Sequence, residues 1–129
     1  MLATIFQIGL FICCYASVWF IISLRVKRND IADIAWGLGF VAIVFFLYFT
    51  QTPTLQSVIV YILTIIWGMR LAIHIGLRSK GKPEDFRYKK WREEWGEYFV
   101  LRSYLQVYLL QGFFMWLISL PIIVVSMSK

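Results

Sequence analysis

The sequence predicts an all-α, polytopic membrane protein with four transmembrane helices and an amphipathic helix at the cytoplasmic interface. Three observations carry this expectation. The 129 residues are 60% hydrophobic and 19% aromatic with only 16% charged, and a soluble domain this small exposes too much surface to hide so many apolar side chains. Four stretches approach the roughly 20 apolar residues that a helix needs to cross the hydrocarbon core. Finally, 11 of the 13 Lys and Arg fall in two connections that such spans place on one side of the membrane. Disorder is excluded, because disordered chains are poor in apolar and aromatic residues. The 8 Gly follow no period and the 2 Cys are adjacent, so collagen-like and disulfide-stapled classes are excluded too. Cys13 and Cys14 read as small apolar fillers.

The first span covers about 2–24 without a charged side chain and is read as an uncleaved anchor, since it lacks the basic start of a signal peptide. The second covers about 31–49, with Asp33 near its start. The third covers about 56–77 and contains Arg70 and His74. The fourth covers about 103–125, with Pro121 near its end. Lipid offers backbone groups no partners, so each span is helical. No repeat or flexible linker interrupts the chain, and 1–129 reads as one membrane domain.

The connection Arg25–Asp30 carries three basic residues, the connection Thr50–Leu55 none, and the stretch 78–102 eight. The positive-inside rule makes the basic side cytoplasmic, with both termini outside, as expected of a protein of a bacterial inner membrane. Topology thereby accounts for the net charge of +6 without nucleic acid as a partner, and a basic surface favours anionic headgroups. Within 78–102, Pro83 and Glu84 suit a first helical turn. Tyr88, Trp91, Trp95, Tyr98 and Phe99 recur at helical steps and predict an aromatic face at headgroup depth. Asp85 and Lys89 are spaced to pair, and Gly96 is expected to end or kink this helix.

Charges inside membrane helices are expensive and usually face protein or a wet cavity. Trp67, Arg70, His74 and Arg78 form one stripe on the third helix. Asn29, Asp33, Trp36, Gly37 and Phe40 share a face on the second, and Tyr104, Tyr108 and Gln111 share one on the fourth. Each also has a simpler reading. Asp33 suits a helix start or an ion pair with Arg70. His74 suits packing, with no second His for a metal site. Tyr104 and Tyr108 suit an interfacial belt, and Gln111 suits helix–helix bonding. Together they predict one polar cavity facing the cytoplasm, lined by Asp33, Trp36, Trp67, His74 and Gln111. Gly68, Ala72 and Gly76 on the third helix, with Ala35 and Gly39 on the second, are expected to be close-packing surfaces.

Several blocks resemble the steroid 5-alpha-reductase-like family of bacterial and plant membrane proteins. They are the run from Asn29 to Phe40, the run from Trp67 to His74, and then Arg78, Gly81, Glu84, Asp85, Arg87, Tyr88, Arg92, Trp95 and Gly96. The runs Arg102–Val107 and Leu109–Gly112, then Leu120-Pro121, complete the likeness. The resemblance implies a helical bundle that binds NADPH from the cytoplasm and reduces a carbon–carbon double bond conjugated to a carbonyl in a lipid or steroid-like substrate. It implies Arg70, Arg78, Arg87 and Arg92, with Asp85, as cofactor-binding residues and Tyr88 and Tyr104 as proton donors. Asp33, Trp36, Asp85 and Gln111 would line or orient. It further implies later membrane segments with a His-Pro-x-Tyr-type motif. The only His here is His74, so the chain is expected to correspond to the front half of the family domain, completed by a second chain, or to be truncated or shortened. A non-catalytic membrane subunit or lipid-binding remnant is the alternative. A small proton-coupled exporter ranks last, because the first span has no carboxylate and Asp33 lies near the interface.

Overall fold

In the computed structural model, residues 1–128 are described; Lys129, the last residue of the single domain expected above, lies outside them. The chain forms α1 (Leu2–Val26), α2 (Ile31–Thr50), α3 (Leu55–Ser79) and α4 (Phe86–Trp95). A 3-10 turn (Gly96–Tyr98), α5 (Phe99–Arg102), a π-helical stretch (Ser103–Leu109) and α6 (Leu110–Met127) then follow almost without a break. Among the described residues, four helices are long and apolar enough to cross a membrane.

Local chemistry sets the boundaries. Lys27 ends α1 in the left-handed region at φ 57°, donating its N–H to the carbonyl of Ser23. Thr54 opens α3 with a capping box: its hydroxyl accepts from the Ser57 N–H at 3.3 Å, and the Ser57 hydroxyl accepts from the Thr54 N–H at 2.8 Å. Asp85, not Glu84, caps α4, its carboxylate accepting from the Arg87 N–H at 3.0 Å. Gly96 ends α4 at φ 51°, a conformation that side chains with a Cβ resist.

α2 is the central helix, with nine buried residues against five in α1 and four in α3. Ile8 and Ile12 of α1, Phe40, Ile43, Val44 and Leu47 of α2, Tyr61 of α3, and Met115 and Ile123 of α6 form the main core. The outer faces of α1 and α3 leave large apolar side chains such as Leu2, Phe6, Leu63 and Ile66 exposed, as suits a lipid solvent.

The α2–α3 contact is very close. A Cβ added at Gly68 would lie 2.6 Å from the carbonyl oxygen of Gly37, and one at Gly37 would lie 2.7 Å from that of Gly68. The small-residue surface of α3 is therefore the expected one at Gly68 and Ala72, but its partner on α2 is Gly37. Ala35 and Gly39 are close-packing surfaces as expected, but toward other helices: the Ala35 carbonyl accepts from the Tyr15 hydroxyl of α1 at 2.7 Å, and Gly39 is covered by Met115 and Tyr15. Gly76 meets only Ile34. Spacing identified the small residues; only the packing shows which helix each of them meets.

Candidate functional site

A cavity of about 1110 Å³ opens at the end of the bundle that carries the basic connections. α2 contributes Asp33 and Trp36, with Asp30 just ahead of it, and α3 contributes Leu71, Ile75, Arg78 and Ser79. Lys82, Pro83 and Asp85 of the connection, and Arg87, Tyr88 and Trp91 of α4, close the mouth. Gln106, Val107, Leu110, Gln111, Phe114 and Ile118 form the far wall. α3 runs toward the basic end and α6 away from it, so the lining grades from charged to apolar with depth. Leu71 lies about 12 Å from Ser79 along α3 at 1.5 Å of rise per residue, with Ile75 midway, and Phe114 and Ile118 face this deeper part.

The mouth is held by a network that joins the two basic connections. Arg28 grips Asp30 with both Nε (2.9 Å) and Nη2 (2.5 Å), while Nη1 donates to the carbonyl of Lys82 at 2.7 Å. Asp30 also accepts from the N–H of Asp85 at 3.2 Å. Glu84 accepts from the N–H of Asn29 at 2.8 Å and from Arg92 Nη2 at 3.3 Å. Asn29, itself buried, donates from Nδ2 to the Ser103 hydroxyl at 2.9 Å and so ties both connections to the π-helical stretch. Charge-assisted hydrogen bonds of this kind are the stronger class.

Within this frame the buried phenol of Tyr88 donates to Asp33 Oδ1 at 3.3 Å, and Arg87 Nη2 lies 3.7 Å from Asp33 Oδ2. Burial pushes the Tyr88 phenol above its ordinary pKa, and the negative charge of Asp33 adds to the effect. Hydrogen bonds from the Arg87 side chain and backbone hold Asp85 below the usual carboxylate range. Tyr88 stacks edge-on against Trp91 (5.3 Å), Trp91 lies parallel to Trp95 (5.4 Å), and Trp95 meets Phe99 (6.1 Å). The predicted aromatic face exists except for Tyr98, which the 3-10 turn leaves exposed.

Of the residues singled out from sequence, the cavity brings together Asp33, Trp36, Arg78, Asp85, Arg87, Tyr88 and Gln111. It does not include Arg70, His74, Trp67, Arg92 or Tyr104. Arg70 and His74 lie on the exposed face of α3, and Arg87 takes the place expected for Arg70 beside Asp33. The reason is rotational: the cavity edge of α3 is Leu71–Ile75–Arg78–Ser79, one residue on from Arg70 and His74, and it shares only Arg78 with the polar stripe. Trp67 is half exposed, its ring edge-on to Phe40. Arg92 turns to Glu84, and Asp85 pairs with Arg87 at 3.2 Å, not with Lys89. The Tyr104 hydroxyl meets Ser17 of α1 at 2.8 Å, with its ring against Phe20. Tyr104 and Tyr108 share a face as expected, but it packs on Phe20 of α1, and along the π-helical stretch Gln106 and Val107 face the cavity, with Gln111 further along. Such widened turns recur at functional sites. Asp30, Lys82 and Gln106 were not anticipated. Only Gln106, a polar residue inside an apolar run, left a signal in the sequence.

The residues present do not fit a complete dinucleotide site. Of the four arginines expected to hold cofactor phosphates, Arg87 and Arg92 face carboxylates and Arg70 lies off the cavity, which leaves Arg78. Among the described residues no group of three or more His, Cys, Asp or Glu is placed to hold a metal ion.

The helices and their lipid-suited surface define a multi-pass integral membrane protein. A family described as a protein of unknown function (DUF1295) matches residues 19–129, and the chain belongs to that family. No curated protein and no solved structure matches the chain.

Proposed function

We propose that this chain is the substrate-binding, carbonyl-polarising part of a membrane reductase that acts on a conjugated carbon–carbon double bond in a lipid or steroid-like substrate. The reading joins the resemblance to steroid 5-alpha-reductase-like proteins with one observation: a buried tyrosine hydroxyl on a carboxylate inside a cavity that is apolar at depth and charged at the mouth. At 3.3 Å the Tyr88–Asp33 bond is long for an O–H···O contact, whose usual range is about 2.5–3.0 Å. A ketone oxygen entering the cavity therefore competes readily for the phenol proton, while Arg87 keeps Asp33 from being stranded. A phenol is protonated at neutral pH, and burial shifts Tyr88 further from phenolate, so it meets the carbonyl as a hydrogen-bond donor. The charged mouth faces the cytoplasm in this reading. The hydride donor, NADPH by resemblance, needs phosphate-binding groups beyond those that line this cavity.

The experiment follows the carbonyl stretch of an isotope-labelled long-chain enone bound to the chain in lipid nanodiscs. The reading expects a downshift on binding that Tyr88→Phe abolishes while the enone stays bound. No shift in the wild type, or an equal shift in the variant, overturns it. A second reading, a non-catalytic lipid-binding subunit, is favoured by the pairing of Arg87 and Arg92 with carboxylates. It expects binding without any shift.

A further inference from the structure

We infer that the ligand of this cavity is a single-chain amphiphile with an anionic head, taken up sideways from the membrane through the cleft between α3 and α6. The inference rests on the reading above only in taking this cavity as the ligand site. Three observations carry it.

The first is charge. Three carboxylates and three cations line the mouth, yet they do not cancel locally. Asp30 is gripped by Arg28 from outside the cavity, and Asp33 and Asp85 share Arg87. Arg78 and Lys82 form no ion pair among the described residues, although Arg78 is near enough to Asp85 to add to its acidity. Arg28 fixes the Lys82 backbone through its carbonyl at 2.7 Å, so the lysine is mounted on a pinned segment. With Arg28 counted, four cations meet three carboxylates, so the rim keeps one net positive charge and two cations without an ion pair, which favours a carboxylate or a phosphate.

The second is the apolar continuation. From that rim the cleft climbs between Leu71 and Ile75 on α3 and Phe114 and Ile118 on α6, with few polar groups at depth. A head at Arg78 and Lys82 therefore places a hydrocarbon chain along this wall, where its burial is favourable.

The third is the side opening. Leu110, Phe114 and Ile118 line the cleft yet remain 47%, 49% and 54% exposed, so its α6 wall is also lipid-facing surface. The opposite side of α3 is sealed against α2 by the Gly37–Gly68 contact. A membrane-dissolved molecule thus reaches the cavity without leaving the bilayer.

The test uses the full chain in phosphatidylcholine nanodiscs, with a spin-labelled long-chain fatty acid as probe and quenching of Trp36 and Trp91, both in the cavity wall, as readout. The expected result is saturable quenching by the acid, with the matching fatty alcohol at least tenfold weaker. Arg78→Ala combined with Lys82→Ala should raise the half-saturation point at least tenfold, and the charge-keeping pair Arg78→Lys with Lys82→Arg should restore it. Equal binding of the alcohol overturns the anionic head. Full competition by inorganic phosphate overturns the use of the cleft, and full competition by phosphatidylglycerol overturns the single chain. If the charge variants bind normally while Tyr88→Phe still abolishes the carbonyl shift, this inference falls and the proposed function stands; weakened binding in the charge variants with no carbonyl shift in the wild type gives the converse.

Discussion

α3 has two unlike flanks. Against α2 it approaches to backbone contact through Gly37 and Gly68, with Ala72 buried beside them. Against α6 it presents Leu71 and Ile75 across a cavity to Phe114 and Ile118. Small residues let membrane helices close because dispersion and backbone contacts replace lipid, whereas larger side chains on both walls keep the other flank apart. The difference shows how a bundle without a soluble core sets the position of a cavity: one flank is shut by missing side chains, the other held open by bulky ones. The basic end then supplies what the apolar cleft lacks, a fixed polar rim.

Breaking the closed flank should have the largest effect. Gly68→Val sets a branched side chain against the Gly37 carbonyl, and overpacking of this kind costs about 1–3 kcal/mol or more. Thermal unfolding in detergent should show a large fall in midpoint, while Gly76→Ala, whose methyl would make one ordinary contact with Ile34, should change little.

Loosening the rim comes next. Glu84→Ala strands the Asn29 N–H and frees Arg92, and an unsatisfied group of this kind costs about 1–3 kcal/mol. Hydrogen exchange at Asn29 and across Lys82–Asp85 should quicken, with exchange in α2 beyond Phe40 unaltered. Uniform protection in both proteins would mean that the rim is not a separate structural unit.

A smaller effect is expected with pH. Asp85 has its pKa lowered in the folded chain, so its contribution is present above the ordinary carboxylate pKa of about 3.9 and is lost as pH falls through the folded value. Acidification below about pH 4 should therefore destabilise the wild type more than Asp85→Asn. Identical acid profiles would show that the Arg87 contact does not act through charge.

The smallest effect is expected at Arg70, which lies off the cavity. Arg70→Gln should change stability by no more than about 0.5 kcal/mol and leave fatty-acid quenching unchanged. Loss of binding would put the polar stripe of α3 in the site after all.

The sequence made the spans, the basic end, the aromatic row of α4 and its stop at Gly96 legible, because each rests on local composition or helical spacing. It also singled out Asp33, Trp36, Arg78, Asp85, Arg87, Tyr88 and Gln111, which line one cavity. Helical spacing says which residues share a face but not where that face points, so Arg70 and His74 were assigned to a cavity that α3 turns away from them. The same limit holds for Tyr104 and Tyr108, whose shared face meets α1, while Gln106 of the π-helical Ser103–Leu109 lines the cavity. The contacts of Arg28 and Glu84 join connections 55 residues apart, and nothing in the sequence between them announces the pairing.

The central claim is that water and ligand reach a cavity between α3 and α6 as far as Gln111. With Cys13 and Cys14 replaced, a charged thiol reagent should label Gln111→Cys in nanodiscs and leave Ile43→Cys, in the closed core, unlabelled. Addition of the fatty acid should slow the first reaction. Protection of Gln111→Cys as complete as that of Ile43→Cys would contradict the account.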